Sequence, residues 1–440
     1  MKIAIVSIQK NRKCTLKDMA GGFGTTFDIG NSAGAGFLEM LKKYIANVPD
    51  ISMAYVAAVL RRAGHDVRFF FNDFASGYDI YLIQSSIVEC ANEKAAGVAI
   101  KNKGYGKVGF WGRFASEVPE YFSNACHFIL RGEAEVLDTD RLSDPELKGI
   151  IDTGTVEDPD LLPFPDWDGF PLHKYRYRII GSGGTILPIL SSRGCPFNCH
   201  YCPYKVNNPF RAREPSRVVE EIEYLNDKYQ ARGIVFRDPD FTFSRERLHE
   251  LLTLIIQKKL NHLSYYIEGR TDNVDAEDVR LMSGAGIAGW EIGIETPAYG
   301  TLRAHGRKAP DISHQEKVIH LCQKSGIRIV GNYMIGFPED TESSILSVID
   351  LARRLNTFAV QFTVCTPYPG TKFFDDVKEG IFEKRWENFT GWSNVFKHPS
   401  LAPGQIAALR ERAYLAYHFR PAYIFSFLKT ILVGWFRRLY

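Results

Sequence analysis

Three cysteines set the first constraint on what this sequence can do. In the run Ser191-Ser192-Arg193-Gly194-Cys195-Pro196-Phe197-Asn198-Cys199-His200-Tyr201-Cys202 the thiols follow a C-x3-C-x2-C spacing. Thiolates bind iron–sulfur centres or zinc. Four-iron clusters that only transfer electrons use four cysteines, whereas three fall together here and no fourth lies nearby. Three thiolates on a four-iron cube leave one iron open for a substrate or cofactor, which suits chemistry better than electron storage. The alternative is zinc with His200 or a distant cysteine as fourth ligand. Structural zinc sites usually come as two ligand pairs, and no second pair is present.

Such a loop needs a scaffold. Apolar β-like runs recur at 185–191, 233–237, 264–269, 289–294, 327–335 and 358–365, and helical patterns separate them at 217–228, 245–258, 276–285, 315–325 and 342–355. Strands alternating with helices predict a parallel sheet. Six such units predict a partial (β/α)6 barrel, with its chemistry at the carboxyl ends of the strands. The cysteine run directly follows the first of them. From about residue 382 the chain turns aromatic and helical, with no further strand series.

The first part of the chain reads as a separate α/β unit. Strands are expected at 2–7, 67–71, 78–84, 107–111 and 127–131, and helices at 52–63, where Gly64 supplies a stop, and at 93–101. The pattern predicts a doubly wound parallel sheet. Its ligands would lie beyond the carboxyl ends of the strands, where the turns Ser85-Ser86, Gly112-Arg113 and Gly132-Glu133 fall. A Pro- and Asp-rich stretch at 158–166 reads as an ordered linker. The expected division is a sheet domain at 1–145, a linker at 146–184, a barrel domain at 185–380 and a helical region at 381–440.

Composition narrows the function classes. A length of 440 residues allows two or three domains, at roughly 100–200 residues each. With 45% hydrophobic and 24% charged residues, the chain is not disordered, collagen-like or a polytopic membrane protein. Lys and Arg number 54 and Asp and Glu 51, so the net charge is 54 − 51 = +3, too weak to argue for a nucleic-acid partner. Eight cysteines are too sparse for a disulfide framework and point to a reducing, cytoplasmic setting. The apolar run at 3–8 is too short for a signal peptide, and Lys10, Arg12 and Lys13 follow at once. Residues 421–440 combine aromatics with Lys429, Arg437 and Arg438. That run is too interrupted for a spanning helix of about 20 apolar residues. It reads either as an interfacial helix making peripheral membrane contact or as a terminal helix packed on the body.

The cysteine run resembles the signature of the radical S-adenosylmethionine (SAM) superfamily, C-x3-C-x-aromatic-C, with Tyr201 in the aromatic place. The resemblance covers nearly the whole chain and is most specific to the subgroup with an N-terminal cobalamin (B12)-binding-type domain. It is carried by Pro49-Asp50-Ile51-Ser52-Met53-Ala54-Tyr55 leading to Gly64-His65-Asp66-Val67, by Arg131-Gly132-Glu133-Ala134-Glu135 and by Leu162-Pro163-Phe164-Pro165-Asp166. Further along come Ile292-Gly293-Ile294-Glu295-Thr296, Ile335-Gly336-Phe337-Pro338-Glu339-Asp340 and Thr366-Pro367-Tyr368-Pro369-Gly370-Thr371.

The resemblance implies that Cys195, Cys199 and Cys202 hold a [4Fe–4S] cluster and that SAM chelates the open iron and is cleaved to a 5′-deoxyadenosyl radical. It places Tyr201 near the adenine, together with the turn that begins at Thr366. The segment that receives the SAM amino group is often Gly-Gly-Glu in the superfamily; here it offers Asp238 and Asp240 instead. Arg270 would pair the SAM carboxylate through a bidentate fork, and Glu295 would accept from the ribose hydroxyls. Plain packing for Tyr201, loop or N-cap roles for the two aspartates, and structural ion pairs for Arg270 and Glu295 are the alternatives.

No D-x-H-x-x-G motif occurs in the first 150 residues, and His65 and His127 read as packed or surface residues. Bound cobalamin would therefore have no histidine beneath it, as in the radical SAM methylases of this subgroup. The stretch Gly21-Gly22-Phe23-Gly24 could lie close to a cofactor. The implied function is cobalamin-dependent methyl transfer to an unactivated carbon. Ring closure, carbon–carbon bond formation or rearrangement without methyl transfer is one alternative, and a non-catalytic iron–sulfur or zinc module is another. The expected partners are a small-molecule or lipid-like substrate and an external electron donor such as flavodoxin or ferredoxin.

Overall fold

The computed structural model describes residues 1–11, 15–181, 183–308, 311–425 and 427. Two six-stranded parallel sheets organise the chain. The first contains β1 (Lys2–Ser7), β2 (Asp66–Phe71), β3 (Ile80–Gln84), β4 (Lys107–Trp111), β5 (Phe128–Gly132) and β6 (Gly149–Gly154) in the order β2-β1-β3-β4-β5-β6. Ile3, Ala4, Ile5 and Val6 are fully buried, as a central parallel strand covered on both faces requires. Helix α1 (Ala33–Ile45) precedes α2 (Ile51–Arg62), and α3 (Cys90–Asn102) links β3 to β4. Asp50 caps α2 by accepting from the Ser52 and Met53 amides at 2.9 and 3.4 Å. Gly64, at φ +85°, lets the chain leave that helix.

Strand β6 lies in the stretch read from sequence as linker. It is an edge strand in which only Ile151 is buried, so its pattern lacked the apolar run that marks the inner strands. Helix α1 also escaped the sequence reading, because Gly34 and Gly36 open it and each glycine costs about 1 kcal/mol of helix stability.

The second sheet contains β7 (Thr185–Ile189), β8 (Ala231–Phe236), β9 (Ser264–Gly269), β10 (Ile287–Glu295), β11 (Arg328–Ile335) and β12 (Ala359–Val364), paired in sequence order and parallel throughout. It curls into a half-barrel wrapped by α4 (Pro215–Tyr229), α5 (Arg245–Gln257), α6 (Ala276–Gly284), α7 (Ile312–Lys324) and α8 (Glu342–Leu355). Helix α9 (Pro403–His418) packs along β12, and its Tyr414 hydroxyl accepts from the Phe362 amide at 2.9 Å. Among the described residues no helix is long and apolar enough to cross a membrane. The segment read as an interfacial helix lies largely outside the described residues, which include only 421–425 and 427 of it.

Candidate active site

The cysteine loop leaves β7 at Ile189 and is anchored at its root by Asp238, two residues past the end of β8. This fully buried carboxylate accepts from the Ser191 amide at 3.0 Å, the Ser191 hydroxyl at 2.8 Å and the Ser192 hydroxyl at 2.6 Å. Burial raises its pKa, and those bonds oppose the rise. Asp238 thus holds the loop in place. Gly194 follows at φ +70°, where a Cβ would clash with the Pro209 carbonyl oxygen. The Cys202 amide then donates to the Cys199 carbonyl at 3.1 Å, and the His200 amide to the His305 carbonyl at 2.9 Å.

This turn gathers the three thiols. Burial pushes Cys195 up to about 11, and the neighbouring Asp240 and Cys199 add to it. Cys202 is raised further by burial and by both other cysteines. Neutral thiols that repel one another's ionisation invite a cation, which would take the protons' place. Among the described residues no three His, Cys, Asp or Glu side chains converge on a point for a single metal ion. Thiolates bound to three corners of a cube stand farther apart than that. Of the remaining described cysteines, Cys90, Cys126 and Cys322 are buried elsewhere, and Cys365 is buried in the apolar cluster with Tyr201 and Phe337 against which Cys199 and Cys202 pack.

Around the loop, the structure brings together most of the residues singled out by sequence. Tyr201 is buried, lies edge-on to Phe337 at 5.4 Å, and its hydroxyl has no partner. Arg270, just past β9, donates through Nε to Asp272 at 2.9 Å and through Nη2 to the Lys308 carbonyl at 2.8 Å. Its guanidinium lies 4.6 Å from the Phe197 ring, inside the cysteine loop. Its Nη1 is buried without a partner. Asp240 accepts from the Thr242 amide, the Thr242 hydroxyl and the Arg270 amide, all on Oδ1, and burial lifts its pKa to about 6. Thr366 is buried and donates to the Val364 carbonyl at 2.9 Å, closing the turn after β12.

Glu295 ends β10 at φ +63°, next to a register shift in the β10–β11 pairing. A left-handed glutamate is strained, and such strain clusters at functional sites. Burial raises its carboxyl pKa, while Arg307 and Arg270 oppose the rise. Arg307 was not found from sequence, since no motif marks it. Its Nη1 lies 3.5 Å from Glu295 Oε1, its Nη2 donates to the Gly293 carbonyl at 2.6 Å, and the nearby Tyr201, Glu295 and Cys199 raise its pKa against the effect of burial.

A crevice separates this loop from the first sheet. It is lined on one side by Gln84, Ser85, Trp111, Gly112, Arg113 and Gly132 to Glu135, at the carboxyl ends of β3, β4 and β5. On the other side stand Ser192, Arg193, Gly194 and Arg237, and Gly21 and Gly22 also reach it. No histidine is among the described residues that line it. The Trp111 Nε1 is buried without a partner. Three thiols on one loop, an orphaned guanidinium nitrogen beside them, and a glycine-walled crevice with an unpaired indole donor fit a cluster, a SAM carboxylate and a large planar cofactor respectively.

Comparisons with known proteins agree with this geometry. A family model described as the Radical SAM superfamily matches residues 189–352. An uncharacterized methyltransferase of Pyrococcus horikoshii is 27% identical, over 85% of this chain and 88% of its own. A bacteriochlorophyllide d C-8(2)-methyltransferase of Chlorobaculum tepidum is 25% identical, over 75% of this chain and 76% of its own. The fold matches that of OxsB, a cobalamin-dependent SAM radical enzyme solved with aqua-cobalamin and SAM bound. The TM-score is 0.67 at 12% identity, over 95% of this chain and 67% of that one. With three thiols on the loop after the first strand of a half-barrel, residues 189–352 carry the radical SAM domain, and the parallel sheet that faces them completes a two-sheet fold shared with the cobalamin-dependent enzyme.

Proposed function

We propose that this protein is a cobalamin-dependent radical SAM C-methyltransferase that acts on an unactivated carbon of a small molecule. When bound, the [4Fe–4S] cluster supplies the electron that splits SAM, and cobalamin supplies methyl-transfer chemistry. The chain's own residues bind and orient. Cys195, Cys199 and Cys202 hold the cluster. Arg270 offers its unpartnered Nη1 to the SAM carboxylate, and Asp240 offers Oδ2, which carries none of its three bonds, to the ammonium. Glu295 accepts from the ribose hydroxyls, steadied by Arg307. Tyr201 and the turn at Thr366 wall the adenine. Asp238 positions the loop. An external electron donor of the flavodoxin or ferredoxin class completes the system.

The observation that carries this reading is the shared crevice. The strand ends at Gln84, Gly112 and Gly132 stand against Ser192 to Gly194 of the cysteine loop across one space. A cofactor held by the first sheet there would face the chemistry of the second. The test is anaerobic purification with cobalamin supplementation, followed by a visible spectrum and a reductive assay with SAM. The expected result is bound corrinoid and cluster, 5′-deoxyadenosine and S-adenosylhomocysteine. Methyl transfer that proceeds without cobalamin would reject the proposal, and deoxyadenosine without S-adenosylhomocysteine would favour radical chemistry without methyl transfer.

A further inference from the structure

A second cavity, of about 500 Å3, opens beside the half-barrel. That size falls in the range of about 300–1,000 Å3 usual for small-molecule sites. Its mouth lies between α1 and the residues after α9, where Phe37, Phe419 and Ile424 line it yet remain 49%, 47% and 42% exposed. From there it runs past the start of β12 to Arg237 and Glu291.

The charged side chains on the wall are turned to partners. Lys42 donates to Gln361 at 2.9 Å and lies 3.6 Å above the Phe27 ring. Arg237 is held by Asp18 at 2.9 Å, and Glu291 accepts from the Tyr266 hydroxyl at 2.7 Å. A charged occupant would lose hydration and would have to displace these existing bonds to find a partner. An apolar one would bury its surface against aromatic and aliphatic side chains.

The cavity adjoins the crevice. In the segment 16–19, Leu16 and Met19 line the cavity while Lys17 and Asp18 line the crevice. Arg237 lines both, so its guanidinium stands on the boundary.

We infer that this cavity holds the hydrocarbon body of the substrate, an acyl or isoprenoid chain admitted past Phe37 and Phe419, with its reacting end delivered beside Arg237. The inference rests on the radical SAM reading for the reaction itself. The chain is uncharged along its length, because Lys42, Arg237 and Glu291 are already engaged by other side chains and the rest of the described wall is mostly aromatic and aliphatic.

The test titrates cluster-loaded, full-length protein with the fluorescent fatty acid cis-parinaric acid and competes it with geranylgeraniol. Saturable binding displaced by geranylgeraniol is expected. Ala359→Trp, which fills the cavity, and Phe37→Asp, which charges its exposed mouth, should each weaken binding at least tenfold while the cluster absorption is unchanged. No saturable binding, displacement by hemin but not by geranylgeraniol, or equal binding in both variants would overturn the inference. Reductive SAM cleavage by the wild-type protein separates the two readings: cleavage without probe binding removes the substrate class alone, whereas loss of cleavage removes the reaction.

Discussion

Arg193 Nη2 lies 2.9 Å from Glu135 Oε1, and both side chains are more than nine-tenths buried. This pair joins the cysteine loop to the turn after β5, and Arg193 and Arg211 both extend it to Glu133, at 3.1 and 2.7 Å. The two sheets therefore meet through charges that have left water. Removing one partner of a buried pair costs about 3–5 kcal/mol, because the other charge is stranded. Arg193→Met is expected to destabilise the protein by about that much and to lower its iron content after reconstitution. A urea midpoint equal to wild type would show that the network does not couple the two halves.

The thiols make a sharper contrast. Cys195→Ala, Cys199→Ala and Cys202→Ala should each remove the visible charge-transfer absorption and reductive SAM cleavage. Cys322→Ala should keep both, because Cys322 is fully buried on the core-facing side of α7, away from the loop. Its cost should be near the ~1 kcal/mol typical of a point substitution. Iron analysis of the four variants checks the assignment, and a Cys202→Ala protein that still cleaves SAM would break it.

Much of this was legible in the chain, for physical reasons. Parallel strands covered on both faces must be nearly all apolar, so the inner strands of both sheets stood out. Their turns followed: Ser85, Gly112 and Glu133, placed at strand ends by pattern alone, all line the crevice. The edge strand β6, half exposed, carried no such pattern. Roles that depend on tertiary partners were hidden too. Asp238 looks from sequence like a SAM ligand as much as a structural residue, and only its bonds to Ser191 and Ser192 show that its oxygens hold the loop. Arg307 reaches Glu295 because that residue takes a left-handed backbone, which no local motif announces. Gly21 was noted only as part of a glycine cluster. In the fold it sits at φ +64°, where a Cβ would strike the Pro203 backbone at 2.7 Å, directly behind Cys202.

His418 makes stability depend on pH. It stacks on Tyr414 at 5.9 Å and lines the apolar cavity. Burial, with Lys42 and Arg420 nearby, lowers its pKa to about 4. Its folded value is depressed below the ordinary 6.5, so the stability it contributes is present above 6.5 and is lost as pH falls toward 4. Between pH 7.5 and 5.0 that loss is about 2 kcal/mol for this residue. His418→Phe keeps the stacking and removes the titration, so its urea midpoint should fall less over the same interval. Parallel pH profiles for the two proteins would refute the assignment.

Arg270 is the residue whose unpaired nitrogen most directly asks for a ligand. Asp272 and the Lys308 carbonyl fix its Nε and Nη2, Phe197 supports its plane, and Nη1 remains buried and unbonded. A buried donor left unsatisfied costs about 1–3 kcal/mol, and a carboxylate at that nitrogen would recover the loss. Arg270→Lys keeps a positive charge but loses the planar fork and its hold on Asp272. SAM affinity should therefore fall by about 10- to 100-fold, corresponding to about 1.4–2.7 kcal/mol, while the cluster spectrum stays intact. Calorimetric titration of SAM into the reconstituted variant measures it, and unchanged affinity would move the SAM carboxylate away from this strand end.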